Sequence, residues 1–200
     1  MTAQIGDVYK YKGTRYTLVA SSANMPFSPE YYGLEPEGIC TACWNGYWCE
    51  YKIDGELYLK NLYVNCRDDY YPPLNGIQVS PMEYEEVEAF SMGKGKHKTT
   101  IPKHMGHHVY QDLGLFVPYS GNILIGDGFL FEYYIHMGLQ RPFAYSTLLE
   151  LVFLNGTLIE EYNRSDIAQK LRERYDSRRT GADKDTEPPP QEELPDLWWL

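Results

Sequence analysis

The sequence predicts a mainly β protein, in which antiparallel meanders form a sandwich or a curled barrel and one α-helix lies near the C-terminus. Aromatic residues make up 15% of the 200 residues, including 19 tyrosines, and aromatic side chains favour strands. Glycine-containing turn dipeptides separate short β-prone runs along most of the chain. Helical spacing of apolar residues is clear in one segment, residues 165–178. At this length we expect one globular domain, residues 1–180, followed by a tail, residues 181–200.

Three glycine turns organise the first third of the chain into hairpins. Each turn dipeptide supplies the positive φ that a tight hairpin turn requires. The turns are Lys12-Gly13, Asn45-Gly46 and Asp54-Gly55, and they join residues 7–11 to 14–20, 39–44 to 47–53, and 47–53 to 56–64. The last two hairpins share a strand, so we expect a continuous meander there.

The middle of the chain has a weaker pattern. Residues 83–90 fit either a strand or a helical turn, and their periodicity does not decide between the two. Residues 91–108 are rich in glycine, lysine and histidine, which predicts an exposed polar loop.

Two further hairpins are predicted in the second half. Asp127-Gly128 joins residues 122–125 to 129–135, and Asn155-Gly156 joins residues 147–154 to 157–162. At an offset of 82 residues, the sequence around Asn45-Gly46 matches the sequence around Asp127-Gly128, which suggests a duplicated β unit, residues 33–64 and 115–162. The alternative is that any two such hairpins with aromatic strands look alike.

One helix is predicted over residues 165–178. Ser165 is a candidate N-cap, and Ile167, Leu171 and Tyr175 recur at helical spacing to form one narrow apolar stripe. A narrow stripe is typical of a helix that lies on a sheet.

Charge and hydropathy exclude several classes of protein. The net charge of −10 disfavours nucleic acid as the partner, although the lysines of residues 94–103 could form a local basic patch. No apolar run is long enough for a spanning helix, so we expect no membrane partner. The first residues carry no secretory signal pattern, and we expect a cytoplasmic protein.

Four cysteines provide the first candidate metal site. Cys40, Cys43, Cys49 and Cys66 have spacings that could supply four thiolate ligands to zinc. The run from Cys40 to Cys43 has strand character and lacks the glycine of a zinc knuckle, so we expect free cysteines that pack as small apolar residues.

Histidines provide the second candidate metal site, which His104, His107, His108 and His136 would form. The pattern lacks the glutamate of a zinc-protease helix, and the alternative is an exposed polar loop. The sequence contains no nucleotide-binding or cofactor-binding motif, and we expect no cofactor.

Aromatic residues are the strongest sign of a binding surface. Trp44, Tyr47 and Trp48 lie together in the first meander, and tryptophan and tyrosine are favoured at protein interfaces. A second candidate anchor, Leu197, Trp198, Trp199 and Leu200, ends the tail, which holds half of the net negative charge.

These features predict a non-enzymatic protein-binding module of the inhibitor, immunity or adaptor type, whose protein partner has a basic surface. The alternative is a metal-dependent or small-ligand-dependent enzyme. Its site would lie between the two β units and combine the histidine-rich loop with Glu50, Glu132 and His136.

Overall fold

A computed structural model describes residues 2–91 and 95–179 of the chain. The fold is mainly β, with 48% of residues in strands, 17% in helices, and one α-helix near the C-terminus, as the sequence predicts. The strands are β1 (Val8–Tyr11), β2 (Thr14–Ser21), β3 (Tyr47–Ile53), β4 (Leu57–Val64), β5 (Tyr84–Ser91), β6 (Gly95–Pro102), β7 (His108–Tyr110), β8 (Leu115–Phe116), β9 (Gly121–Phe129), β10 (Tyr145–Leu154) and β11 (Thr157–Asn163); helix α1 is Ser165–Arg179. In the described part of the chain, no helix has the length and apolarity needed to cross a membrane.

Nine strands form one open sheet, and two form a separate hairpin. The order in the large sheet is β11-β10-β9-β2-β1-β3-β4-β7, with β8 also paired to β4, while β5 and β6 pair with each other. β1 runs parallel to β3 and antiparallel to β2, so it connects the two halves of the sheet. A single bridge, Glu56 to Thr157, links the start of β4 to the start of β11. The sheet therefore curls until its two halves touch, without closing.

The curl gives the sheet an apolar concave face and a convex face that carries the helix. Tyr9 and Tyr51 are fully buried on the concave side, and their rings stack at 4.8 Å. On the convex side, Leu148 of β10 and Ala168 of α1 are both fully buried in a second cluster. The helix therefore lies on the sheet, as its narrow stripe predicts, and Tyr175 stacks on Phe143 at 5.3 Å.

Three of the predicted hairpin turns are confirmed: Lys12-Gly13 joins β1 to β2, Asp54-Gly55 joins β3 to β4, and Asn155-Gly156 joins β10 to β11. The N-cap prediction for Ser165 was wrong. Its hydroxyl accepts a hydrogen bond from the Leu148 backbone N–H at 3.0 Å, so it ties the helix to β10 and does not cap the helix.

The hairpin predicted at Asn45-Gly46 is absent because residues 39–44 do not form a strand. They turn back at a hydrogen bond from the Cys43 N–H to the Cys40 carbonyl at 3.2 Å. This segment pairs elsewhere: the Ala42 carbonyl accepts a hydrogen bond from the Ile5 N–H at 2.8 Å. The N-terminal segment thus takes the backbone contact that a hairpin would have used.

The hairpin predicted at Asp127-Gly128 is also absent. β9 runs unbroken from Gly121 to Phe129 because β10 pairs with it along this length, and a short 3-10 helix, Phe131–Tyr133, follows. The segments that the 82-residue offset aligns therefore differ in structure, and the duplication of residues 33–64 and 115–162 stays a prediction.

Residues 91–108 are not a plain loop, because β6 pairs there with β5 along its whole length. This pairing also decides the ambiguous residues 83–90 in favour of a strand. The predicted basic patch is largely neutralised: Lys98 lies 2.8 Å from Glu86, and Lys103 lies 2.8 Å from Glu83. Lys94 lies outside the described residues.

Candidate binding site

Two of the three predicted partner-binding aromatics of the first meander line one cavity of about 240 Å³. We call it the Asp7 cavity; the residues that define it are Gln4, Asp7, Met25, Trp44, Tyr47 and Leu139. Trp44 is 54% exposed at the mouth, while Asp7 is 6% exposed. The cavity therefore has an aromatic rim and a buried carboxyl group.

Gln4 connects three walls of the Asp7 cavity. Its side-chain carbonyl accepts a hydrogen bond from the Trp44 backbone N–H at 3.1 Å, and its side-chain amide donates to the Thr41 carbonyl at 2.9 Å. Its backbone N–H donates to the Gly138 carbonyl at 2.9 Å. The N-terminal segment, the residue 40–46 turn and the residue 138 loop are thereby held together.

Gly46 shapes the turn that carries Trp44. Its φ of +75° is unfavourable for residues with a side chain, and a Cβ there would come within 2.5 Å of the Glu37 backbone. The Gly46 carbonyl also accepts a hydrogen bond from the Asn65 N–H at 2.8 Å. The Asn45-Gly46 signal thus marks a tight turn, although the turn holds Trp44 at the cavity and does not pair two strands.

Asp7 is the chemically unusual group of the site. One of its carboxylate oxygens accepts a hydrogen bond from the Cys49 backbone N–H at 2.7 Å. Among the side chains that the structure describes, residues 2–90 and 95–177, no lysine or arginine forms an ion pair with it, and its other oxygen accepts no hydrogen bond. Burial raises the pKa of Asp7 to about 7, and the Cys49 hydrogen bond offsets this only in part.

The other buried carboxylates lie outside the Asp7 cavity and are paired. Glu50 is 2.9 Å from the Lys10 ammonium and 2.6 Å from the Arg15 guanidinium. Glu150 is 2.7 Å from the Arg164 guanidinium and accepts a hydrogen bond from the Asn122 side chain at 2.6 Å. Both carboxylates are therefore neutralised by the chain itself.

Trp48, the third predicted aromatic, does not line the Asp7 cavity. It is half-buried and stacks on Tyr63, with ring centroids 3.7 Å apart. Leu197, Trp198, Trp199 and Leu200 lie outside the described residues.

The four predicted metal-binding histidines occupy different environments. His107 is buried, its Nδ1 lies 2.9 Å from the His104 carbonyl oxygen, and burial lowers its pKa. His108 packs on Tyr71 at 4.4 Å, and His136 packs on Tyr134 at 5.1 Å. Within the described ranges, no three His, Cys, Asp or Glu side chains come close enough together to hold a metal ion.

All four cysteines are free thiols, as the sequence predicts, and Cys43, Cys49 and Cys66 are buried. Burial raises the pKa of Cys43 to about 11, and the nearby Cys40 contributes a smaller rise. A high pKa keeps the thiol protonated, so it is a poor nucleophile at neutral pH.

A second cavity of about 350 Å³ lies beside helix α1. It brings together Glu132 and His136, two members of the alternative site, with Arg141 and Tyr175. Next to it, Phe131 is 78% exposed and stacks on Tyr134 at 5.6 Å. Glu50 is not part of this cavity.

Sequence reasoning missed Gln4, Asp7 and Arg164. Asp7 is the first residue of the first β-prone run, residues 7–11, and the end of a strand is an ordinary place for a solvated residue. Its burial follows from contact with Cys49, 42 residues later in the chain, and no local pattern signals that contact. Comparisons with family models, curated proteins and solved structures gave no match.

Proposed function

We propose that this chain is a non-enzymatic protein-binding module that receives part of its partner in the Asp7 cavity. One observation carries the proposal: an exposed tryptophan stands at the mouth of a cavity whose buried carboxyl group has no basic partner among the described residues. Exposed tryptophan next to a concave site is typical of the central contacts of protein interfaces.

The mouth of the Asp7 cavity offers further apolar area. Met25 is 41% exposed and lines the cavity, and Met137, next to the lining residue Gly138, is 51% exposed. Methionine side chains are flexible and polarisable, so they adapt their shape to a partner. The rim therefore combines a rigid aromatic anchor with adaptable apolar contacts.

The proposed partner has a basic surface. The net charge of −10 favours approach of a positively charged protein, and charge complementarity of this kind mainly raises the association rate. Acidic inhibitors that neutralise basic enzymes, as immunity proteins do, are one class with this behaviour. The acidic tail, with Trp198 and Trp199 near its end, would supply a second contact.

A second candidate function is binding of a small ligand in the cavity beside α1. It is favoured by the juxtaposition of Glu132, His136 and Arg141, because convergent charged groups in a partly apolar cavity are typical of ligand sites. Under this alternative, a small molecule would copurify with the chain.

Native mass spectrometry of the full-length protein, purified gently from the cells that produce it, tests the proposal. We expect a protein complex that is retained by wild type, weakened by Trp44→Ala, and weakened by removal of residues 181–200. Trp48→Ala is the matched control, because Trp48 lies outside the Asp7 cavity. A complex that both changes leave intact would contradict the proposal, and a monomer with an added small mass would favour the second candidate.

A further inference from the structure

The Asp7 cavity contains a carboxyl group that no basic residue of the described chain neutralises. The carboxyl group in its lining belongs to Asp7, and the remaining lining groups are apolar, aromatic, amide or, at Cys43, a thiol. The titratable groups that interact electrostatically with Asp7 are Tyr9, Cys43, Tyr47, Cys49 and Tyr51, phenols and thiols that stay neutral at pH 7. Keeping a buried carboxyl group unpaired is costly for the folded state, and a natural protein retains such a cost most readily at a binding site.

We propose that the Asp7 cavity binds the ammonium group of a lysine side chain presented by the protein partner. This inference rests on the proposed protein-binding function and names the group that its partner inserts.

Asp7 and two amides can satisfy the three N–H donors of an ammonium. The free oxygen of Asp7 would accept one hydrogen bond. The side-chain carbonyl of Gln4 already accepts one bond and has a second lone pair, and Asn45 also lines the cavity. The cavity therefore contains one charged acceptor and two neutral acceptors for a compact cation.

The walls of the Asp7 cavity are suited to the methylene chain of a lysine side chain. Leu18, Leu139 and the rings of Trp44 and Tyr47 line the path to Asp7. Aromatic rings stabilise a cation through the electrons of their faces, and apolar walls cover the methylene groups that lysine carries. The volume of about 240 Å³ falls below the ~300–1,000 Å³ usual for small-molecule sites, which fits a single side chain.

Lysine fits better than arginine because of the Asp7 hydrogen bond to Cys49. A guanidinium binds a carboxylate best through two parallel hydrogen bonds, one to each oxygen. The Cys49 N–H already occupies one lone pair of one Asp7 oxygen, so the two oxygens no longer form an equivalent pair of acceptors. An ammonium group behaves as a point charge and needs only one free carboxylate oxygen.

Titration of the full-length protein with the peptide Ac-Gly-Lys-Gly-NH2, followed by NMR of the Trp44 indole, tests the proposal. We expect binding that Asp7→Asn weakens by about tenfold or more, because the charge-assisted bond is lost. Binding should also be about tenfold tighter at pH 8 than at pH 6, because Asp7 is mostly ionised at pH 8 and mostly protonated at pH 6. Peptides with arginine or glutamine in place of lysine should bind more weakly.

Glu50→Gln is the matched control, since it removes one buried negative charge from outside the cavity and should leave peptide binding unchanged. Equal binding of the lysine and glutamine peptides, or equal binding by wild type and Asp7→Asn, would overturn the inference. A small amine retained on purified wild-type chain and absent from Asp7→Asn would also overturn it, because the occupant would not be a protein side chain.

The same variants, tested on the native complex, distinguish failure of the lysine inference from failure of the proposed function. A complex that Trp44→Ala weakens and Asp7→Asn leaves intact would keep the protein-binding function and reject the lysine. A complex indifferent to both changes would reject the function itself.

Discussion

The buried carboxylates of the protein fall into two groups with opposite surroundings. Outside the Asp7 cavity, Glu150 is held by the Arg164 guanidinium, and Glu50 is held by Lys10 and Arg15. At the Asp7 cavity, the carboxyl group has one backbone N–H and no basic neighbour among the described residues. The paired carboxylates connect strands to one another, whereas Asp7 has no cationic partner among the described residues. This difference separates structural charge from a candidate binding group.

The same difference predicts opposite effects of pH. For Glu50, burial opposes ionisation, but the hydrogen bonds from Lys10 and Asn61 and the charges of Lys10 and Arg15 outweigh it and hold the pKa below its ordinary value. Asp7 is desolvated without that compensation, and its pKa rises. Ionisation of Glu50 therefore stabilises the fold, and ionisation of Asp7 destabilises it.

The largest stability change is expected from Arg164→Met. It leaves Glu150, which is 2% exposed, with the Asn122 side chain as its remaining partner, and breaking a buried ion pair in this way costs about 3–5 kcal/mol. Urea denaturation at pH 7 measures the loss. Arg15→Met is the control, because Lys10 still pairs with Glu50 and the loss should stay below about 1 kcal/mol. Equal losses for the two variants would contradict the account.

Asp7→Asn should stabilise the protein at high pH. Between the ordinary pKa of 3.8 and about 7, the folded state holds a proton that the unfolded state has released, so wild-type stability falls as pH rises through this interval. The variant does not titrate there and should gain on the order of 2–4 kcal/mol at pH 8 and nothing near pH 3. Denaturation curves across pH 3–8 measure this; a loss of stability at pH 8 would show that ionised Asp7 supports the fold.

Glu50→Gln should show the reverse profile. A lowered pKa means that the ionised form stabilises the fold above the ordinary value of 4.5, and this contribution is lost as pH falls through the lower folded-state pKa. We expect a loss of about 1–2 kcal/mol at pH 7 that disappears in strong acid. If the two variants gave profiles of the same sign, the contrast between the two carboxylates would be refuted.

Trp44→Ala should change stability least. Trp44 is 54% exposed, so its removal should cost less than about 0.5 kcal/mol while it weakens binding of the lysine peptide. Trp48→Ala should behave oppositely, since loss of its stack on Tyr63 costs about 0.5–1.5 kcal/mol and leaves the cavity intact. Thermal melts and peptide titrations of both variants provide the comparison.

Local sequence patterns were sufficient to predict the fold class but insufficient to predict the binding site. Lys12-Gly13 and Asp54-Gly55 form hairpins, and β1 and β3 pair with each other without displacing either hairpin. At Asn45-Gly46 the N-terminal segment competes for the backbone, and at Asp127-Gly128 strand β10 keeps β9 extended. These contacts join residues that are far apart in the sequence, so a local sequence pattern cannot predict them.

The aromatic composition pointed to Trp44 and Tyr47, and both line the Asp7 cavity. The burial of the Asp7 carboxyl group beside them could not be predicted, because the dipeptide Gly6-Asp7 is equally typical of an exposed turn. Its burial depends on the parallel pairing of β1 with β3, which places Asp7 beside the Cys49 N–H.

The most direct test of the account is the pKa of Asp7, measured by NMR titration of its side-chain carboxyl carbon in the full-length protein, with Asp7→Asn assigning the signal. We expect a value near 7 in the free protein and a lower value when the lysine peptide saturates the site, because a bound cation favours the ionised form. A value near the ordinary 3.8 in the free protein would show that Asp7 is not an uncompensated buried acid, and the assignment of Asp7 as the binding group would then be wrong.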